Sequence, residues 1–287
     1  MASKPLTDLA KPSPVELVVA NPWAQLRQFT PARIALGRTG VSLPTQPQLA
    51  FQLAHAKARD AVHLLLDAMA LEQSLKAAGL ARSGCIQLHS AAPDRQTYLQ
   101  RPDLGRRLSD ASRAELTALA TGFDPGGYDL ALVIADGLSA QAVAAQAVPL
   151  LSEFLPLVHA DGLTLAPLTV ARMGRVALAD EVGALLRARV VVILIGERPG
   201  LSAFDSMGIY ATWAPQVGSS DAQRNCISNV RPAGLGSVAA AAKLHYLVSE
   251  MHRRQLSGVP LKDETTDEGS LGASPQRHFL VGSDPTM

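Results

Sequence analysis

The apolar run VVVILI at residues 190–195 constrains the fold of this chain more than any other segment. Five of its six residues are β-branched, which is typical of a strand buried on both faces of a sheet. The run leads directly into Gly-Glu-Arg-Pro-Gly, so Glu197 and Arg198 lie at the C-terminal end of that strand. Open α/β sheets bind ligands at this edge. A surface turn closed by a Glu–Arg pair, with Pro199-Gly200 as turn residues, explains the same segment equally well.

Strand-like and helix-like segments alternate over residues 83–260, which predicts an α/β fold. We expect a mainly parallel, Rossmann-like sheet flanked by helices, preceded by a small all-helical region over residues 21–82. A loose lead is expected over residues 1–20, and a disordered polar tail over residues 261–287. The predicted strands are CIQLHSA, YDLALVIADGLSA, LTLAPLTV and RVVVILIG, and the predicted helices include SRAELTALATG, LADEVGALLRA and SVAAAAKLHYLVSEMHRRQ.

Proline and glycine predict several helix boundaries. Asn21-Pro22 and Thr30-Pro31 each match an N-cap followed by proline at the first helical position. The stretch from residue 45 to 80 has the composition of one long helix, and Gly79 is a suitable residue just past its end. In the later helical segment AQAVAAQAVPLLSEFLPLVHADG, the two prolines are expected to break the helix into pieces.

Composition excludes several function classes. The net charge is +1, which argues against broad electrostatic binding to nucleic acid or to anionic lipid. The two cysteines, Cys85 and Cys226, are far apart and have no metal-ligand neighbours, so a reducing cytoplasm is the expected location. We see no run approaching the ~20 apolar residues of a membrane helix, and no secretory signal.

The segment PAGLGSVAAAAKL contains Gly234-x-Gly236-x-x-Ala239, close to the dinucleotide-binding fingerprint. That fingerprint needs a strand immediately before it and an acidic residue about twenty positions later. The preceding RNCISNVRP makes a poor strand, and Glu250 comes too early in the same predicted helix. A glycine-rich helix entry is therefore favoured, and a free-standing nucleotide- or dinucleotide-binding enzyme is the alternative function.

Hydrogen-bonding residues cluster around Cys226 in DAQRNCISNVRP, which predicts a lined pocket or an interface. No histidine lies nearby in sequence to activate the thiol, and a lone cysteine is more often a small buried residue than a nucleophile. We predict no catalytic residue and no metal ligand in this chain. Four loop arginines are suited to holding an anion or pairing with acids of another chain, or else are simply solvated: Arg38, Arg101, Arg106 and Arg107.

Several motifs together resemble the small subunit of ethanolamine ammonia-lyase, in order from about residue 21 to 260. They are ARIALGRTGVSLPTQPQLAFQLAHAKARDAVH, YLQRPDLGRRL, LVIADGLSA, ARMGRVALADEVG, IGERPGLSAFDSMGIY and DAQRNCISNVRP. The resemblance implies deamination of ethanolamine to acetaldehyde and ammonia by a radical route that uses adenosylcobalamin. It also implies a large barrel subunit that binds the substrate and encloses the cobalamin together with this chain. The implied complex contains equal numbers of large and small subunits.

The family's cobalamin contacts fall here on Val176 in GRVAL, Glu197 in GERPG and Cys226 in RNCIS. Arg198, Asp136 and Asn229 are further candidates because they lie near predicted strand ends. The sequence contains no Asp-x-His-x-x-Gly, the string of cobalamin enzymes that replace the lower base by histidine. The resemblance therefore implies cobalamin bound base-on, with no metal ligand from this chain.

Two further expectations depend on the family comparison. Some relatives carry a longer N-terminal lead that directs the enzyme into a bacterial microcompartment, so the short lead here favours the open cytoplasm. A purely structural partner subunit, with no cofactor contact, is the third hypothesis for this chain.

Overall fold

The computed structural model describes residues 18–81, 84–123 and 126–264. The loose lead and the disordered tail lie almost entirely outside the described residues, so both stay predictions. The α-helices are α1 (Thr45–His63), α2 (Ala68–Ala77), α3 (Arg95–Gln100), α4 (Asp110–Ala120), α5 (Ala140–Ala160), α6 (Leu178–Leu185) and α7 (Ser237–Arg254). The strands are β1 (Ile86–His89), β2 (Tyr128–Ala135), β3 (Thr169–Arg172), β4 (Ala188–Gly196), β5 (Met207–Trp213) and β6 (Arg224–Val230).

The sheet is mixed, and the prediction of a mainly parallel sheet is wrong. Its order is β1-β3-β2-β4-β5-β6. The first four strands are parallel, whereas β5 pairs antiparallel with both β4 and β6. Only the short loop 197–206 joins β4 to β5, too short for the crossover that a parallel neighbour requires. A Rossmann-like fold is not confirmed.

Strand β4 lies in the middle of the sheet and divides its core, as its apolar sequence predicts. Val190, Val192 and Leu194 pack on one face with residues of α2, α5 and α7. Val191 and Ile193 pack on the other face with residues of α4 and α6. Since side chains alternate along a strand, a run without polar residues is what a strand buried on both faces requires.

Strand β6 contains the residues that sequence reasoning judged a poor strand, and that judgement is wrong. Arg224, Ile227 and Val230 are buried, while the residues between them are exposed or half-buried. Strand β6 lies at the edge of the sheet and pairs only with β5. Polar residues are tolerated there because one side of an edge strand faces water.

Helix α5 is continuous, so the prediction that its two prolines would break it is wrong. Pro149 and Pro156 both lie inside its 21 residues. Each proline removes one backbone hydrogen bond, and burial of the apolar face against the sheet and α7 offsets that loss. Among the described residues, α5 is long and apolar enough to span a membrane, contrary to our expectation, but 50% of that window is buried in the protein.

The N-terminal region is helical in part. Asn21 caps a short 3₁₀ helix at Pro22–Gln28, as predicted, but no helix begins at Thr30-Pro31. The predicted long helix is two helices, α1 and α2, because Asp67 starts α2 by accepting a hydrogen bond from the Ala70 amide at 2.9 Å. Gly79 follows α2 with a φ of 75°, as predicted for a residue past a helix end.

A buried ion pair joins four elements at the C-terminal edge of the parallel strands. The Arg95 Nη1 atom lies 3.4 Å from Asp136 Oδ2 and donates to the Gly137 carbonyl at 2.9 Å. The Arg95 Nε atom donates to the Val62 carbonyl of α1 at 2.8 Å, and Asp136 Oδ1 accepts from the Gly174 amide at 3.2 Å. These contacts fix α1, α3, the end of β2 and the loop after β3 relative to one another.

Glycines allow the ends of β2 and β4 to approach closely. Gly137 has a φ of 55°, and a Cβ atom there would collide with the Gly196 carbonyl oxygen. The same oxygen accepts a hydrogen bond from the Leu138 amide at 2.9 Å. A Cβ at Gly196 would in turn collide with the Ser139 carbonyl. The position of Glu197, the next residue, is therefore set by backbone contact rather than by a loose loop.

Asp136→Asn tests this buried ion pair. Burial raises the pKa of the Asp136 carboxyl from 3.8 to about 6, although Arg95 and nearby amides oppose the shift. Between about pH 4 and 6 the folded chain therefore holds a proton that the unfolded chain has lost, so wild-type stability falls as pH rises. We expect the free energy of unfolding of Asp136→Asn to rise relative to wild type by about 3 kcal/mol across that window.

The measurement is urea denaturation of the purified chain at a series of pH values, with Asp129→Asn as the control. Burial raises the pKa of Asp129, but hydrogen bonds from Thr164 and the charge of Arg189 together outweigh it and lower the pKa. The stability of Asp129→Asn relative to wild type should therefore fall as pH rises, and only below about pH 4. A flat difference between Asp136→Asn and wild type from pH 4 to 7 would contradict the assignment.

Candidate functional site

Val176 lies in the loop that connects β3 to α6. Its neighbour Arg175 is held by its own amide, which donates to the Gly105 carbonyl at 2.7 Å, and by its guanidinium, which stacks on the Tyr98 ring at 4.3 Å from the centroid. Tyr98 is fully buried and donates its hydroxyl to the Gly174 carbonyl at 3.0 Å. Val176 is half-buried against the sheet, so this loop presents an apolar side chain from a fixed backbone.

Cys226 lies on β6, directly opposite Tyr210 of β5. Neighbouring atoms shield the thiol from water, which raises its pKa above the ordinary value, although the residue keeps part of its surface exposed. A hydrogen bond with Tyr210 lowers the pKa, and the negative charge of Glu197 raises it. The thiol is therefore mostly protonated at neutral pH, which does not suit a nucleophile.

Val176 and Cys226 line one cleft, although fifty residues separate them in the sequence. The cleft has a volume of about 690 Å³ and lies between the loop after β3 and the outer strands β5 and β6. Its walls are formed by Pro102, Arg106, Arg175, Val176, Ala177, Tyr210, Ser219, Ser220, Asp221, Arg224 and Cys226. The structure thus brings two of the three predicted cofactor contacts to a single concave surface.

Glu197 lies beside this cleft rather than in its wall. Its Oε2 atom accepts from the Ser206 hydroxyl at 2.5 Å, and its Oε1 atom accepts from the Asn229 amide at 3.2 Å. The carboxylate is close enough to Tyr210 and Cys226 to contribute to the raised pKa of both. A carboxylate offers about four acceptor positions, so these two hydrogen bonds orient the group and leave it able to accept more.

The three further candidates have different environments. Asp136 is 1% exposed and paired with Arg95, so it is a structural residue and not accessible to a ligand. Asn229 contributes its backbone, which has a φ of 61° and donates to Glu197. Arg198 is exposed and lines a second cleft, of about 410 Å³, which Arg175 also lines.

Sequence reasoning did not single out Tyr210 or Arg175 of the cleft wall, and it gave Arg224 only as one member of the polar cluster around Cys226. Tyr210 lies on β5, which was not predicted as a strand, so nothing indicated that it faces Cys226. Arg224 forms a buried ion pair with Asp180 at the start of α6 and a second ion pair with Asp221 at 2.7 Å. The polar cluster around Cys226 pointed to Arg224. The acidic partner of Arg224, Asp180, is 44 positions away in the sequence, so the ion pair could not be inferred from that cluster.

The residues that suggested a dinucleotide-binding site have other roles in the structure. A strand, β6, does precede the glycines, but a Cβ at Gly234 would collide with the Asn229 carbonyl, so this glycine permits a tight turn of the chain. Glu250 pairs with Arg253 and Arg254 on the same helix and is not free to bind a ribose. Within the ranges described, no group of three or more His, Cys, Asp or Glu residues is placed to hold a metal ion.

Alkylation of Cys226 tests the proximity of Glu197 to its thiol. The reactive form is the thiolate, so removal of the nearby negative charge by Glu197→Gln is expected to lower the thiol pKa and speed alkylation. Tyr210→Phe removes a hydrogen bond that lowers this pKa and should slow the reaction. The measurement is the pH profile of iodoacetamide labelling, followed by peptide mass spectrometry.

Cys85 serves as an internal control, because burial and the charge of Glu72 raise its pKa to about 11 independently of Glu197. If Glu197→Gln left the Cys226 profile unchanged, the two residues would not be neighbours.

Comparison with known proteins assigns the family. The family model described as ethanolamine ammonia-lyase light chain matches residues 20–262. An ethanolamine ammonia-lyase small subunit from Ralstonia nicotianae is 59% identical over 264 residues, covering 92% of this chain and 96% of that protein. The small subunit from Pseudomonas aeruginosa strain UCBPP-PA14 is 57% identical over 265 residues, with the same shares covered. The chain therefore belongs to the ethanolamine ammonia-lyase small-subunit family.

Proposed function

We propose that this chain forms one wall of the cobalamin site in an adenosylcobalamin-dependent ethanolamine ammonia-lyase and packs on the large subunit. The observation that carries the proposal is the cleft shared by Val176 and Cys226, with Glu197 beside it. These are the three positions on which the family's cofactor motifs fall. In the described cleft wall the Cys226 thiol is protonated and the Asp221 carboxylate is paired with Arg224, which suits a subunit that binds and positions the cofactor.

The residues present fit part of a corrinoid. Val176 supplies an apolar contact for the ring surface, and the protonated thiol of Cys226 is a small, polarizable neighbour. Glu197 is a fixed acceptor for an amide N–H, the group that fringes a corrin ring. A cleft of about 690 Å³ encloses only part of such a cofactor, so a second chain must cover the rest.

The roles of the residues follow from these contacts. When bound, adenosylcobalamin supplies the radical by homolysis of its cobalt–carbon bond. Val176 and Cys226 would exclude water from one face of the site, and Glu197 would orient the ring through its amide fringe. We propose base-on binding, because the sequence lacks the Asp-x-His-x-x-Gly string, and we propose that the catalytic residues belong to the large subunit.

Exposed apolar side chains support association with another chain. They concentrate in the N-terminal part, where Trp23 and Phe29 are 65% and 68% exposed. Surfaces of this kind mark protein–protein contacts. We propose a complex with equal numbers of large and small subunits in the cytoplasm; native mass spectrometry of the co-expressed complex gives the stoichiometry.

Cobalamin titration of the co-expressed complex tests the proposal. We expect the complex to bind adenosylcobalamin and deaminate ethanolamine, and this chain alone to do neither. Glu197→Ala should weaken cobalamin binding about tenfold, since it removes a charged hydrogen-bond acceptor. Cys226→Trp should weaken binding further by filling the cleft. The measurement is the change in corrinoid absorbance at equilibrium, with turnover measured in parallel.

Glu153→Ala is the matched control, because Glu153 is an exposed residue of α5 that does not line the cleft. The proposal is wrong if the large subunit alone binds cobalamin and turns over at the full rate. Unchanged affinity in both Glu197→Ala and Cys226→Trp would instead favour a purely structural subunit, and binding of NADH or ATP by the isolated chain would favour the nucleotide-binding alternative.

A further inference from the structure

The cleft that contains Val176 and Cys226 has an excess of positive charge. Three arginines line it, Arg106, Arg175 and Arg224, against the carboxylate of Asp221 in the wall and that of Glu197 beside it. A polar cleft with several guanidinium groups and few acids is suited to an anionic ligand. Whether the charge is available depends on how each arginine is already paired.

Arg224 is already neutralised. Its side chain is 3% exposed and forms ion pairs with Asp180 and with Asp221, while its Nη2 atom also donates to the Ser219 carbonyl at 2.8 Å. Its Nε atom is buried and has no acceptor among the described residues. Arg224 therefore holds the cleft wall in place and contributes little net charge.

Arg175 carries a charge that the described residues do not balance. Its Nη2 atom donates to the Tyr98 carbonyl at 3.3 Å, and its buried Nε atom has no acceptor in the described part of the chain. The same Tyr98 ring stacks against Arg95, whose guanidinium lies 4.8 Å from the centroid and is paired with Asp136. Arg175 is thus held rigidly by an aromatic ring without a carboxylate partner.

Arg106 adds a second unpaired cation at the rim. Its guanidinium is exposed and forms no hydrogen bond or ion pair with any residue that the structure describes. Arg106 follows Gly105, whose carbonyl accepts from the Arg175 amide, so the two arginines are fixed to the same short segment of wall. Gly105 itself cannot carry a side chain, because a Cβ there would lie 2.8 Å from Arg175 Cγ.

The start of α6 reinforces this electrostatic field. Val176 and Ala177 line the cleft immediately before the helix begins at Leu178. The first three N–H groups of α6 donate to the carbonyls of residues 175–177, so the helix contributes through its aligned peptide dipoles and not through free donors. The two acidic residues of that turn repel an anion only weakly, because each is paired with an arginine: Asp180 with Arg224, and Glu181 with Arg113 at 2.5 Å.

We infer that Arg106 and Arg175 hold a phosphate-type anion, namely the phosphodiester of the cobalamin nucleotide loop. The inference rests on the proposed function and deepens it, since the phosphodiester is the anionic group on the periphery of that cofactor. Guanidinium groups bind phosphate oxygens with paired hydrogen bonds, and a guanidinium already stacked on a ring loses little entropy when it does so. The apolar contact at Val176 then adjoins the anion subsite.

Equilibrium titrations of the co-expressed complex with three corrinoids measure how much the phosphate contributes to binding. Cyanocobalamin contains the phosphodiester and the lower base, cobinamide phosphate contains the phosphate alone, and cobinamide contains neither. We expect Arg106→Gln to weaken binding of the two phosphate-containing corrinoids about five- to tenfold and to change cobinamide affinity by less than about twofold. Arg175→Lys keeps the positive charge but loses the paired N–H donors of the guanidinium, and it should weaken binding of the same two corrinoids selectively.

Arg107→Gln is the matched control, because Arg107 is the adjacent exposed arginine and does not line the cleft. An equal loss of affinity for all three corrinoids, or no loss in either cleft variant, would overturn the inference while leaving the proposed function intact. Failure of the wild-type complex to bind any corrinoid would overturn the proposed function, and the inference with it.

Discussion

The buried ion pair between Arg95 and Asp136 is the interaction on which the candidate site depends. Both side chains are almost fully buried, and the Arg95 guanidinium reaches from α3 to α1 and to the end of β2. The Asp136 carboxylate also holds the amide of Gly174, two residues before Val176. A buried pair of this kind contributes little net stability, because desolvation of both charges offsets their attraction. Its value here is positional, since it fixes the loop after β3.

The cleft is built outward from that pair. Arg95 stacks on Tyr98, Tyr98 stacks on Arg175, and Arg175 forms part of the wall next to Val176. On the opposite wall, Cys226 is placed by its pairing with Tyr210 across two antiparallel strands. One wall thus depends on a chain of buried charge and aromatic contacts, and the other on sheet register.

The proposed function assigns this chain a positioning role. A cofactor that supplies the difficult chemistry needs shape, polarity and exclusion of water from the protein around it. Glu197 illustrates the division of roles: two hydrogen bonds fix its carboxylate, and an acceptor position stays available to a ligand. The apolar N-terminal surface and the open cleft are both features that a second subunit would cover.

The parts of the fold that depend on local pattern could be predicted from the sequence. The apolar run before Glu197 is sufficient to predict a central strand and a charged residue at its C-terminal end. Strands β5 and β6 were not predictable in the same way, because their direction depends on the length of a connecting loop, and an edge strand needs no apolar repeat. Helix α5 continues through Pro149 and Pro156 because tertiary packing outweighs the local cost. The contacts of Arg95 with Asp136 and of Arg224 with Asp180 join residues more than forty positions apart, which no local pattern specifies.

A structure of the assembled complex with cobalamin bound decides whether this chain forms part of the cofactor site. We expect corrinoid in the cleft, within van der Waals distance of Val176 and Cys226, with a ring amide donating to the Glu197 carboxylate. A cobalamin enclosed wholly by the large subunit, with this cleft facing solvent, would contradict this expectation.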